Sequence, residues 1–296
     1  MVKNFRNALL RKLLRLLFRK ELPIPESRAR SEKMAKLTEK LSPRVQVDVL
    51  QIDDIYTEWI AQPGADERHV ILYFHGGGYV SGSVAIHRLL CYELAHATGV
   101  RILLPEYRLA PENPFPAALD DAMSAYRWLL AQGFKPADIT IAGDSAGGGL
   151  ALATTLALRD AGEALPAAVV CISPWADLKL TGDSYRTKAK ADPILNTKQL
   201  RNWALSYTGE ENLSNPLVSP VYADFRAFPP MLIQVGSEEV LLDDALKVAG
   251  KAKSAGVEVM LKIWPGMWHV WHATGTWLPE SREALAEIGR FVQRQF

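Results

Sequence analysis

Cysteine is scarce in this chain. Cys91 and Cys171 are the only two among 296 residues, and both sit in apolar stretches, so no disulfide framework can form. A reducing compartment, and with it a cytoplasmic location, is the simpler expectation. Neither cysteine lies in a turn motif that would make it a nucleophile. Net charge is nearly absent as well: 34 Lys and Arg against 33 Asp and Glu leave +1. That removes a global basic surface for nucleic acid and the acidic excess of a disordered chain. Long apolar runs are also missing, and none reaches the roughly 18–20 residues that cross a bilayer. There is no internal repeat, no low-complexity tract and no linker-bounded second domain.

One absence is local. Residues 1–20 hold no acid, but they contain Lys3, Arg6, Arg11, Lys12, Arg15, Arg19 and Lys20, interleaved with Phe5, Phe18 and six leucines at helical spacing. An uninterrupted apolar core and a small-residue cleavage site are lacking, which excludes a secretory signal. Two readings stand: a lid helix laying its apolar face on the mouth of a cleft, or a peripheral membrane contact through residues 1–20.

What is present is 48% hydrophobic residues, enough for one large core. Pro23 and Pro25 close the first helical segment, and Ser27 to Leu41 reads as a second helix stopped by Pro43. Val45, Val47 and Val49 alternate with polar residues, with Ile52 to Ile60 as a hairpin partner, an antiparallel outer pair. From there short apolar runs (70–74, 100–104, 139–142, 167–172, 231–235 and 257–263) alternate with helical patterns near 87–97, 116–131, 146–161, 241–255 and 280–294. Continuous apolar strands alternating with helices predict a mostly parallel sheet of eight strands in all, covered on both faces. The interval from Trp175 to Pro230 breaks this rhythm. A connection that long is usually functional, and residues 175–215 are read as a second piece of a lid.

The chemistry begins at Gly143-Asp144-Ser145-Ala146-Gly147. This G-x-S-x-G motif lies between a buried strand and a helix, where the chain must reverse sharply and push the serine hydroxyl out above the sheet. Glycines on either side remove side chains that would collide there. Ser145 is the candidate nucleophile, at a helix end that favours developing negative charge. His75-Gly76-Gly77-Gly78 follows the strand 70–74. Three successive glycines cost conformational entropy, yet they let backbone N–H groups approach a small oxyanion. The N–H groups of Gly77, Gly78 and Ala146 are the candidate donors, with Gly76 shaping the turn, and His75 is read as structural. No Lys-Ser/Thr pair follows the loop, so it is not a phosphate cradle.

In this scaffold the chain order is nucleophile, acid, base. Of the six histidines only His269 and His272 come late enough, and His269, just after the last strand run, is favoured. The loop after strand 231–235 offers Glu238, Glu239, Asp243 and Asp244. The early positions leave the strand end pointing into the cleft, whereas Asp243 and Asp244 fall at a helix start, where acids serve as caps. Glu239 is preferred, with Asp243 and Glu238 as competitors. Aromatic and flanking positions suggest a mostly apolar pocket built from Tyr79, Asp144, Trp175, Trp203, Tyr207 and Trp268, with core packing as the competing role for the aromatics.

Together, His75-Gly76-Gly77-Gly78, the block Glu106-Tyr107-Arg108-Leu109-Ala110-Pro111-Glu112, Gly143-Asp144-Ser145-Ala146-Gly147-Gly148 and the Glu239/His269 region make this chain resemble the hormone-sensitive-lipase-like family of α/β-hydrolase esterases. The resemblance covers roughly residues 45–296. It implies an α/β-hydrolase fold with a helical cap, here residues 1–42 plus an insertion at about 175–215, on a catalytic domain spanning 43–296. The family's acid stands three residues beyond the glycine closing its strand, which is Glu239 here, although the family usually has aspartate. Its charged block begins here with Glu106 and is read as structural. The resemblance further implies a bacterial, intracellular serine carboxylesterase for short to medium acyl chains, with lactone hydrolysis or deacetylation as alternatives. It implies a small-molecule ester substrate, no cofactor and no metal. A homodimer through the edge strand 257–263 is implied as well. Plant gibberellin receptors share the scaffold but lack a working triad histidine, whereas His269 is present.

Overall fold

The β-strand pattern folds as its periodicity dictates. The fold is described from a computed structural model that covers residues 2–18, 20–41, 45 and 47–296. Its eight strands form one sheet in the order β1-β2-β4-β3-β5-β6-β7-β8. The hairpin β1 (Val47–Ile52) and β2 (Ile55–Ile60) is antiparallel, and β2 joins β4 (Val100–Pro105) antiparallel. From β3 (Asp66–Phe74) through β5 (Ile139–Asp144), β6 (Ala168–Ile172), β7 (Met231–Gly236) and β8 (Val259–Trp264) every pairing is parallel. This is the eight-stranded, mostly parallel sheet expected from the run of strand and helix signals, and the α/β-hydrolase architecture that the resemblance implies.

The parallel strands are apolar at consecutive positions because alternate residues serve two cores. Leu72 and Phe74 of β3 join one cluster with α4 (Ala117–Ala131), α5 (Ala146–Asp160) and α8 (Leu242–Ser254). Ile71 and Tyr73 of the same strand join the opposite cluster with α3 (Val84–Thr98) and α9 (Pro279–Gln293). Each fully buried aliphatic side chain contributes about 1.5–3 kcal/mol, so a one-residue slip would send each set to the wrong face. The run at 257–263 enters the sheet only at Val259. Val257 is still closing the end of α8 through its N–H to the Ala252 carbonyl, after the left-handed Gly256 (φ 82°).

Over the carboxyl ends of the strands lie α1 (Val2–Phe18), α2 (Ile24–Leu41) and the insertion carrying α6 (Ser184–Thr187) and α7 (Thr197–Thr208). Helix α2 begins three residues before Ser27, because Pro25 fits a helical first turn, where a missing N–H costs nothing. Arg28 ties it down: its guanidinium donates to the carbonyls of Val80 and Ala110 and forms a two-pronged pair with Glu112. That pair holds the Glu112 carboxyl down at about 2. The expected stop at Pro43 and the boundary between residues 42 and 43 lie outside the described residues, as do the side chains of Lys3, Phe5, Arg6 and Arg19.

Helix α1 departs from the expected polarity. Leu10 and Leu14 pack on a cluster of Trp268, Trp271 and Leu278, as a lid helix would. However, Arg11 and Arg15 also face inward. Arg11 lies 5.8 Å from the Trp268 ring, and Arg15 donates to the carbonyls of Lys190 and Ala191. The outward stripe is Leu9, Leu13, Leu16 and Leu17, between 49% and 75% exposed. Among the described residues no helix is long and apolar enough to cross a membrane.

Candidate active site

Ser145 sits where β5 turns into α5, with φ 55° and ψ −122°. A β-carbon has no natural place in that conformation, and the turn persists because its surroundings admit nothing else. Any side chain at Gly147 would meet the Phe74 carbonyl oxygen at 1.9 Å. The Ser145 hydroxyl lies 2.9 Å from His269 Nε2, and His269 Nδ1 lies 2.9 Å from Glu239 Oε2. His269 is delivered by the loop following β8, and Glu239 by the loop following β7.

The acid is held from its other oxygen. Glu239 Oε1 accepts from the Gly236 N–H and from the Ser173 hydroxyl at 2.8 Å, and Ser173 in turn accepts from the Val270 N–H. Ser173, buried at the end of β6, therefore links the acid loop to the histidine loop; no motif in the sequence pointed to it. Burial works to lower the His269 pKa, but the hydrogen bond and charge of Glu239, with Asp192 and Asp144 behind it, outweigh that and raise it above 6.5. The rival residues are occupied elsewhere. His272 bonds Gln234, and burial drops it to about 3. Asp243 accepts from the Ser184 N–H, Asp244 from the N–H groups of Ala176 and Asp177, and Glu238 lies 3.5 Å from Lys188.

Beside Ser145, the glycine loop turns back under Trp203. At Gly77 (φ 132°) a β-carbon would overlap the Ser81 carbonyl at 1.9 Å, so only glycine fits there. Among the described residues the N–H groups of Gly77, Gly78 and Ala146 have no protein acceptor. The Gly76 N–H differs: it donates to Asp144 Oδ1 and lies 3.2 Å from His87 Nε2, so it shapes the turn rather than facing the cavity. Asp144 Oδ1 also accepts from the Tyr73 hydroxyl. Burial would raise the Asp144 pKa, but His87 and Tyr73 outweigh it and keep the carboxyl lowered. His75 stacks on Tyr107 and burial drops it to about 3, in keeping with a neutral brace for the loop.

These groups floor a cavity of about 200 Å³. Of the six expected pocket residues, Asp144 and Trp203 line it and four do not. Tyr79 (φ 62°) turns inward and stacks on Tyr207 at 3.9 Å, and Trp175 is wholly buried 6.2 Å from Tyr79. Trp268 packs under α1. Large apolar rings beside the catalytic turns are thus spent on the core. The walls are instead made by Ile194, Leu195, Gln199 and Leu200 from the insertion, Phe18 from α1 and Arg30 from α2. These residues come together only when the helices dock; reading 175–215 as a lid pointed to the stretch but not to these side chains. Buried Asp192 accepts from the N–H groups of Ile194, Leu195 and Val240, joining this wall to the acid loop.

A hydroxyl–imidazole–carboxylate relay with free N–H donors beside the hydroxyl can carry out acyl transfer. Residues 71–273 match a family described as alpha/beta hydrolase fold. The chain is 47% identical over 246 residues to an acetyl-hydrolase of Streptomyces hygroscopicus, covering 83% of this chain and 82% of that one. It is 39% identical over 253 residues to an esterase of Acinetobacter venetianus, covering 85% and 83%. Among solved structures, an esterase from the bacterial hormone-sensitive lipase family superposes with a TM-score of 0.92 at 43% identity, covering 98% of this chain and 97% of that one. The chain belongs to the hormone-sensitive-lipase-like family of α/β-hydrolase esterases and is a carboxylic ester hydrolase.

Proposed function

We propose that this hydrolase cleaves short- to medium-chain carboxylic esters through a Ser145–His269–Glu239 triad and an acyl-enzyme. The observation that carries the reading is the unbroken relay, 2.9 Å at each step, ending at a serine hydroxyl on the floor of the cavity. Ser145 Oγ attacks the ester carbonyl as its proton passes to His269 Nε2. The carbonyl oxygen, now negative, takes the N–H groups of Gly77, Gly78 and Ala146. Collapse expels the alcohol with the proton from His269, and water activated by the same nitrogen releases the acid. A cavity of about 200 Å³ and a relative that is an acetyl-hydrolase support the short end of the acyl range.

A chain-length series of p-nitrophenyl esters tests this, with rates expected to peak at short acyl groups. Wild-type turnover in Ser145→Ala, or no fluorophosphonate adduct at Ser145, would overturn it. The same machinery could open lactones or remove acetyl groups, and rates on esters, lactones and amides rank these. Two surfaces favour contacts beyond the substrate: β8 is an open sheet edge suited to a second copy of the chain, and the exposed leucines of α1 suit a membrane surface.

A further inference from the structure

The cavity wall made by α2 is chemically unlike the rest. Ser27, Arg30 and Ser31 stand at i, i+3 and i+4, so one face of the helix puts two hydroxyls and a guanidinium toward the space in front of Ser145. Among the described residues neither hydroxyl has a hydrogen-bond partner, and no carboxylate pairs with Arg30. One Arg30 nitrogen donates to the Leu17 carbonyl at 3.1 Å, and the guanidinium carbon lies 4.9 Å from the Phe18 ring centre. Its remaining N–H groups have no protein acceptor among the described residues. Among the described residues the only carboxylate lining the cavity, Asp144, is already engaged by Tyr73, Gly76 and His87. A half-buried cation without a counter-charge is costly, and a substrate that supplies the charge recovers that cost.

We propose that the Ser27–Arg30–Ser31 face binds a carboxylate carried by the substrate, so that preferred esters are short and have an anionic group at the end away from the scissile bond. This rests on the reading that Ser145 opens esters in this cavity. The guanidinium fork matches the two carboxylate oxygens, with the serine hydroxyls able to donate as well. Such a contact holds substrate and transition state alike, so its effect belongs in KM more than in kcat.

The test compares esters of matched length on the purified full chain. Monoethyl succinate is set against ethyl pentanoate, for a carboxylate on the acid side. The butyrate ester of glycolic acid is set against propyl butyrate, for one on the alcohol side. In at least one pair the anionic ester is expected to be preferred about tenfold or more in kcat/KM, the size of one charge-assisted contact. That preference is expected to collapse towards one in Arg30→Gln and to survive in Arg30→Lys. Should Arg30→Gln fail to fold, inhibition of the wild-type protein decides: butyrate is expected to inhibit competitively at a concentration about tenfold lower than its neutral counterpart butyramide, and equal inhibition by the two overturns the proposal. No preference in either pair, or a preference unchanged in Arg30→Gln, overturns the proposal and leaves Arg30 as a strut between α1 and α2. Absence of turnover on p-nitrophenyl butyrate together with no labelling of Ser145 would instead overturn the triad reading.

Discussion

The floor of the cavity and its roof are built by different rules. Every reactive floor group is fixed from several sides: Glu239 by three partners, Ser145 by a turn that admits only glycine at 143 and 147, and the glycine loop by Asp144 and Ser81. The roof is held by a few long side chains reaching carbonyls, such as Arg15 to Lys190 and Arg28 to Val80, and by leucines packed on one side only. On the proposed reading, chemistry falls to the over-determined layer and substrate choice to the more loosely held one.

The comparison breaks most sharply at the nucleophile. Ser145→Ala should lower kcat by a factor on the order of 10⁴ to 10⁶ with little change in melting temperature, because the turn, not the hydroxyl, carries the structure. Gly77→Ala should damage both. The new methyl would strike the Ser81 carbonyl; the loop shift that relieves the clash misaims the Gly77 N–H, at a cost of up to about 2.7–4 kcal/mol, the value for losing one oxyanion donor outright. A thermal melt beside the kinetics separates the two losses, and a fully active, undestabilised Gly77→Ala would show that the floor is looser than its geometry implies.

The acid gives the next effect. Glu239→Gln keeps the shape but removes the charge, and kcat should fall by about 10²–10⁴, in the range set by losing the acid's charge in such relays. Asp243→Asn, remote from His269, should retain near-normal turnover. The pH profile sharpens this. His269 acts as a base only when neutral, and its raised pKa places the acid limb of kcat/KM above 6.5; in Glu239→Gln that limb should move down. The corresponding stability runs the other way. A raised histidine pKa stabilises the fold fully below 6.5, and that contribution is lost as pH climbs through the folded value.

These contrasts explain what the sequence could disclose. Ser145, the glycine loop and the order of acid and base were legible because each demands unusual backbone: a strained turn, a triple glycine or a loop at a strand's carboxyl end. The sheet was legible because burial on two faces leaves consecutive apolar residues. For Tyr79, Tyr207, Trp175 and Trp268 pocket and core both stood open, and the core took them, because an aromatic beside a catalytic turn reads the same whether it points into the cavity or the core. Arg30, Leu195 and Ser173 were invisible because only tertiary docking brings them to the site. Helix α1 was read by its apolar face alone, since no pattern in 1–20 foretells that Arg15 will find the carbonyls of a segment 175 residues away.

Asp192 joins the two layers, which makes it a graded test. It belongs to the insertion, yet it accepts from the Val240 N–H next to the acid and from two N–H groups of the cavity wall. Asp192→Ala would leave those buried donors unsatisfied, at about 1–3 kcal/mol each before relaxation. The expectation is a lowered melting temperature and a KM raised more than kcat is lowered. A pure kcat loss would mean instead that Asp192 acts chiefly through His269.

The smallest effects belong to the outside of the roof. Leu14 packs on Trp268 and its neighbours, whereas Leu13, on the next position of the same helix, is 51% exposed. Leu14→Ala should cost about 1–2 kcal/mol, a part-buried fraction of a full leucine burial. Leu13→Gln should change stability by no more than about 0.5 kcal/mol. If Leu13→Gln proves as costly as Leu14→Ala in dilute solution, the outer stripe must be covered by something, and the comparison is best repeated across protein concentrations. A cost that grows with concentration identifies a second copy of the chain as the cover. A cost that appears only with vesicles present identifies a lipid surface, and with it a roof that takes up substrate where esters partition.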